Sequence, residues 1–193
     1  MIEVASVIWP PKDFDPYGNR LYNDIILLKL KHALVFTQET VNPIPLPVKT
    51  TWGKDELLED CLISGWGKSN VSQRYRPHQG VDELPKILQL ANVSTVQNCN
   101  SVSNYSNLME SQICASGDFD NGKYTDACQG DSGGPLACKS GFLGYILTGV
   151  VSYGNGCGKP GSPGVYTRAA YFLDWIKESM VKPSVTTTSA PGK

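Results

Sequence analysis

Six cysteines, Cys61, Cys99, Cys114, Cys128, Cys138 and Cys157, are scattered between positions 61 and 157 of a 193-residue chain. None belongs to a C-x-x-C pair and no histidine cluster stands nearby, so a zinc site is disfavoured and disulfides are the expected use. Cross-links dictate which distant segments must lie side by side, and so restrict the fold more than any other feature here. Six cysteines allow 15 pairings, and spacing alone does not choose among them. Three N-glycosylation sequons, at Asn70, Asn92 and Asn104, agree with an oxidising compartment. Together they predict a secreted, extracellular glycoprotein.

The stretches between the cysteines are short and often interrupted. Nineteen glycines and thirteen prolines imply many turns, which suits short strands better than long helices. Val4 to Trp9, Ile25 to Leu30, Cys61 to Gly67, Ile87 to Val96, Gly144 to Gly154 and Gly164 to Ala169 read as strands, apolar or β-branched and bounded by turn residues. Only the end looks helical: Phe172, Leu173, Ile176 and Met180 form one apolar stripe. Residues 68–84 make a long polar loop, and from Pro183 on a Ser/Thr/Pro-rich tail follows. The expected class is therefore all-β with a C-terminal helix. A formal net charge of -1 exerts no pull toward nucleic acid or membrane. No stretch approaches the ~18 apolar residues of a membrane helix. The opening, "MIEVASVIWPPKDFD", lacks the basic start and apolar core of a secretion signal. The body reads as secreted and the front does not, so the chain is expected to begin partway through a longer protein.

The chemistry concentrates in "TDACQGDSGGPLAC", residues 125–138. Ser132 stands beside glycines, as suits a nucleophile exposed on a tight turn, and a serine hydroxyl needs a base to become reactive. The loose G-x-S-x-G pattern of α/β-hydrolases requires a histidine after the serine and a helix after the turn. No histidine follows Ser132, and Pro135 argues against that helix. A subtilisin-like order through Asp24, His78 and Ser132 requires a parallel sheet wrapped in helices, which this pattern does not supply.

"NDIILLKL" at 23–30, "SGWG" at 64–67, "DACQGDSGGPL" at 126–136, "VSYGNGCG" at 151–158, "PGVYTR" at 163–168 and "FLDWI" at 172–176 occur in one order along the chain. In this the chain resembles the chymotrypsin/trypsin-like serine proteases, from about Ile2 to Met180. The resemblance implies a double β-barrel with the active site between the barrels. Residues 1–48 would be the remnant of an incomplete first barrel, 49–181 the second barrel with its helix, and 182–193 the tail.

It also implies roles. Ser132 would attack the scissile carbonyl, and the backbone N–H groups of Gly130 and Ser132 would hold the oxyanion. Asp24 would orient a histidine. Asp126 would floor a specificity pocket that accepts Arg or Lys, with Gly154 and Gly164 as its walls and Ser152 bordering Asp24. Tyr153 stands where the family usually has tryptophan. Asp131 would pair with a newly freed N-terminal ammonium. The implied disulfides are Cys61–Cys138, Cys99–Cys114 and Cys128–Cys157. No cofactor or metal is called for. The implied partners are protein or peptide substrates with Arg or Lys at the cleavage site, and protein inhibitors.

One part is missing. In the family the histidine precedes the aspartate, and residues 1–23 contain none. His32 follows Asp24 by eight residues along an extended segment, roughly 25 Å at ~3.3 Å per residue. His78 lies in the polar loop. The activating Ile/Val-Val-Gly-Gly start is absent too, so Asp131 is expected to turn outward, as in an inactive zymogen. The expectation is a C-terminal fragment of a secreted serine endopeptidase, inactive alone, with its histidine upstream of Met1 and with apolar strands left exposed. The alternative is a non-catalytic secreted homologue that acts as a binding glycoprotein. Intact Asp24, Ser132 and Asp126 speak against it, since binding alone does not require all three.

Overall fold

The structure, a computed structural model, describes residues 2–10, 23–37, 41–48, 57–68, 84–99, 105, 108–120 and 123–181. His78, Asn70, Asn104 and the tail from 182 lie outside these. Two strands come first, β1 (Val4–Ile8) and β2 (Leu27–Leu30). There follow β3 (Cys61–Gly65), β4 (Gln89–Thr95), β5 (Gln112–Ser116), β6 (Phe119–Asp120), β7 (Lys123–Tyr124), β8 (Pro135–Ser140), β9 (Gly144–Tyr153) and β10 (Gly164–Arg168). A 3-10 turn at Ala169–Phe172 leads into the helix α1 (Leu173–Val181).

Six strands close a barrel in the order β10-β5-β4-β3-β8-β9, with antiparallel pairs all round. Alternation puts Cys61 and Ile63 of β3, Val93 of β4, Ile113 and Ala115 of β5, Leu136 and Cys138 of β8 and Tyr166 of β10 into one buried core. Closure leaves this sheet without a free edge. Register shifts interrupt β8 between Leu136 and Ala137 and β10 between Val165 and Tyr166. Such irregularities bend a strand and re-aim its side chains, and both fall beside the residues discussed below.

All three implied disulfides are present. Cys61–Cys138 joins facing residues of β3 and β8 inside the core. Cys99–Cys114 lies in a second buried cluster with Tyr105 and Val165. Cys128–Cys157 ties the segment before Ser132 to the segment after β9.

The β1–β2 pair forms a separate two-stranded sheet. Val4, Val7, Ile26 and Leu28 are large apolar residues exposed on it or beside it. Its anchor to the rest is a third cluster, in which Ile25 packs on Phe172 and Ile176 with Leu27, Leu46 and Trp175 around them. The backbone N–H of Leu147 also donates to the carbonyl of Pro45.

Two expectations change. Phe172, Leu173 and Ile176 are buried as the stripe implies, but Met180 is 74% exposed. It is the next-to-last residue of α1, one turn past Ile176, and takes no part in the cluster that buries Phe172 and Ile176. Strand β5, the short pair β6 and β7, and β8 were not among the strands expected. The first four residues of β5 are all buried, so its sequence shows no alternation.

Candidate active site

The nucleophile candidate sits on a loop built from two consecutive turns. The N–H of Asp131 donates to the carbonyl of Cys128 at 2.9 Å, and that of Gly134 to the carbonyl of Asp131 at 2.8 Å. Gly130 adopts φ +101°, a region open to glycine at little steric cost. Ser132 and Gly130 are both exposed. The loop is fastened to β9 by a reciprocal pair of bonds: Gly133 N–H to Val151 carbonyl, and Val151 N–H to Gly134 carbonyl, each 2.9 Å.

The next residue of β9 holds the aspartate. Ser152 Oγ donates to Oδ2 of Asp24 at 2.6 Å. Thr167 Oγ1, on neighbouring β10, donates to the Asp24 carbonyl at 2.7 Å. Ile25, buried against the helix, fixes the chain direction just after Asp24. The serine loop and Asp24 therefore hang from adjacent residues of one strand, though they are far apart in sequence. Thr167 carried no sequence signal as a site residue, because its hydroxyl serves a backbone carbonyl. Among the described residues the one histidine, His32, is exposed in the bend past the far end of β2.

Asp126 occupies a different niche. Its Oδ2 accepts the N–H of Gly158 at 3.0 Å, while Oδ1 is buried without a hydrogen-bond partner. Burial is the main force pushing this carboxyl up from 3.8 to about 6; the N–H groups of Gly158 and Ala127 oppose it, and the charge of Asp131 adds to it. A Cβ on Gly164 would come 2.7 Å from Oδ1 and 3.3 Å from the Tyr166 hydroxyl. Glycine at 164 thus keeps open the space in front of two polar atoms. The Tyr166 hydroxyl is buried and unpartnered as well. Burial first, then the charges of Asp126 and Asp131, push this phenol up, so it remains a neutral donor. Gly154 faces the same region: its Cβ would lie 3.9 Å from the Gly164 Cα. Tyr166 was read only as part of a strand; its hydroxyl enters the niche because β10 slips register there. Tyr153 stacks edge-on with Tyr105, at 6.1 Å between ring centres, and receives a bond from Gln112 Nε2.

Asp131 corrects an expectation. Its carboxylate does not turn outward but lies in a cradle of backbone. Oδ1 accepts the N–H of Gly67 at 2.7 Å and Oδ2 that of Cys128 at 2.9 Å. A Cβ on Gly65 or Gly67 would collide with this carboxylate. Two backbone N–H donors bind the carboxylate where a cationic partner was expected to be needed. The cradle opens on a cavity of about 290 Å³ lined by Ser64, Gly65, Gly67, Leu90, Asp131 and Val151 among others. The sequence motif "SGWG" carried the glycines but not their use.

The closed barrel thus carries a glycine-flanked serine, an aspartate hung from the same strand and a carboxylate with one buried oxygen beside two glycines. Comparison with known proteins gives the family: the chain matches the Trypsin family model over residues 2–176 and belongs to that family. It is 38% identical to transmembrane protease serine 5 of Homo sapiens over 156 residues, 81% of this chain and 32% of that protein. It is 39% identical to trypsin-1 of Astacus astacus, covering 83% of this chain and 61% of that one. It is 34% identical to the submandibular glandular kallikrein-3 of Rattus norvegicus, covering 88% and 77%. Among solved structures, neuropsin, a serine protease of mouse brain, superposes with a TM-score of 0.74 at 31% identity, covering 93% of this chain and 71% of that one. The chain spans under two thirds of the length of the first two relatives. Among the described residues no helix is long and apolar enough to cross a membrane, and no cluster of His, Cys, Asp and Glu could hold a metal ion.

Proposed function

We propose that this chain carries the nucleophile, the aspartate and the specificity pocket of a secreted serine endopeptidase that cleaves after Arg or Lys. The carrying observation is that the Ser132 loop and Asp24 are bonded to adjacent residues, Val151 and Ser152, of β9. Ser132 attacks the scissile carbonyl, and the N–H groups of Gly130 and Ser132 hold the oxyanion. The hydroxyl proton passes to a histidine oriented by Asp24. The histidine returns that proton to the leaving amine, and water then hydrolyses the acyl-enzyme.

Asp126 supplies selectivity. A buried carboxylate with one unpartnered oxygen, faced by Gly164, suits a guanidinium or ammonium, whose charge offsets the cost of burial. The three disulfides support passage through an oxidising compartment. The 193 residues alone are inactive on this reading, because neither His32 nor His78 stands ahead of Asp24 as the family order requires. Loss of a triad member costs several orders of magnitude in turnover.

The test is hydrolysis of an arginyl amide by the chain itself and by a chimera. In the chimera the part of Astacus astacus trypsin-1 that precedes the matched region is placed before residue 2, to supply the histidine that this reading requires. The expected result is a silent chain and an active chimera that loses turnover with Ser132→Ala. Ser132-dependent turnover by the chain alone would overturn the assignment of its missing base. A folded but silent chimera would favour a binding role for the scaffold.

A further inference from the structure

Of the three sequons, the one at Asn92 lies within described structure, on the wall of the closed barrel. In β4 the inward side chains are Ala91, Val93 and Thr95, and Val93 is 2% exposed. Asn92, Leu90 and Ser94 therefore share the outward face. Asn92 is exposed. Across the ladder it faces Leu62 of β3, while pairing with β5 engages only Ser94 and Thr95. Ser94, the hydroxyl residue of the sequon, stands two positions on along the same face, with its Oγ donating to the Glu59 carbonyl at 3.1 Å. A branched oligosaccharide on an inward residue would prevent the barrel from closing. On this outward position it displaces only solvent.

The surroundings give the sugar something to cover. Ile87, Leu88 and Leu90 are exposed apolar residues close together at the start of β4, with Leu90 at 66%. A run of this kind is not an isolated exposed leucine and calls for a cover. The C–H faces of the first sugar rings provide one without a protein partner. The residues just before the acceptor, Gln89, Leu90 and Ala91, line the cavity into which the Asp131 cradle opens.

We propose that Asn92 carries an N-linked oligosaccharide, which lies over Leu90 on the outer barrel wall and flanks the mouth of the Asp131 cavity. The inference does not depend on the protease reading, because neither Asn92 nor Leu90 has a part in the proposed chemistry, although Asp126 lines the same cavity.

The test expresses the full chain behind a cleavable signal sequence in an animal-cell host. The disulfide-bonded product, secreted or retained, is digested and treated with peptide N-glycosidase in heavy-oxygen water, and the peptide bearing Asn92 is read by mass spectrometry. Most copies are expected to show the heavy Asn-to-Asp conversion. Asn92→Gln and Ser94→Ala should each remove one glycan from the intact mass, while Ser94→Thr should keep it. An unmodified Asn92 peptide in the wild-type product would overturn the proposal, whether or not Asn70 and Asn104 are occupied. The wild-type peptide decides even where a variant fails to fold.

Discussion

Ser152 Oγ lies 2.6 Å from Asp24 Oδ2, across 128 positions of sequence. This bond joins the segment that ends at β2 to the barrel strand β9, and it lies beside the strand residue that carries the serine loop. A short, charge-assisted bond in a half-buried setting contributes more than a neutral surface one.

Removing either hydroxyl that holds Asp24 should therefore loosen the site. Ser152→Ala should cost about 1–2 kcal/mol and Thr167→Val a similar amount, since each leaves an acceptor of Asp24 without its donor. Urea titration of the variants against wild type measures both. An unchanged midpoint for both would show that Asp24 is held from elsewhere.

The Asp131 cradle predicts a coupled pair. Gly65→Ala alone should destabilise by roughly 1–3 kcal/mol, because the new methyl collides with the carboxylate. Asp131→Ala alone should also cost stability, by removing the acceptor of the Gly67 and Cys128 N–H groups. The double variant should lose less than the sum, since the collision disappears with the carboxylate. Additive losses would mean that the two do not meet.

Asp126 predicts a pH dependence. Its carboxyl is raised in the folded chain, from 3.8 to about 6, so folding favours the neutral form. Its contribution is complete below about pH 4 and is lost as pH rises through about 6. Wild type should therefore lose stability relative to Asp126→Asn between pH 4 and pH 8, by at most about 3 kcal/mol. Other carboxylates titrate in both proteins, so the difference isolates this group. A cationic ligand needs the ionised form, so benzamidine should bind about tenfold more weakly for each pH unit below about 6. Flat profiles in both measurements would contradict the buried placement of Asp126.

Much of this was legible in the sequence, for physical reasons that differ by residue. The strands that alternate or run apolar between turns, such as β4 and β9, announce themselves, whereas β5 is buried on both faces and does not. Ser132, Asp126, Gly154 and Gly164 stand in motifs, because the chemistry proposed for them needs those residue types at those spacings. The disulfide partners came from the resemblance, since 15 pairings are open to six cysteines otherwise. Tyr166, Thr167 and the cradle glycines were not legible as site parts. Their roles depend on register slips and close approach across the barrel, which a one-dimensional pattern does not carry. The direction of Asp131 was misread for the same reason: the N–H of Gly67, 64 positions away, supplies the partner.

The central claim is that Ser132 is a nucleophile selected by Asp126 for basic side chains. The direct measurement is covalent labelling of the chimera with two phosphonate probes, one bearing an arginine-like side chain and one a phenylalanine-like side chain. Peptide mapping then locates the adduct. The account predicts rapid labelling of Ser132 by the basic probe, slow labelling by the aromatic one, and loss of that preference with Asp126→Ser. Equal labelling by both probes, or an adduct on any residue other than Ser132, would contradict it.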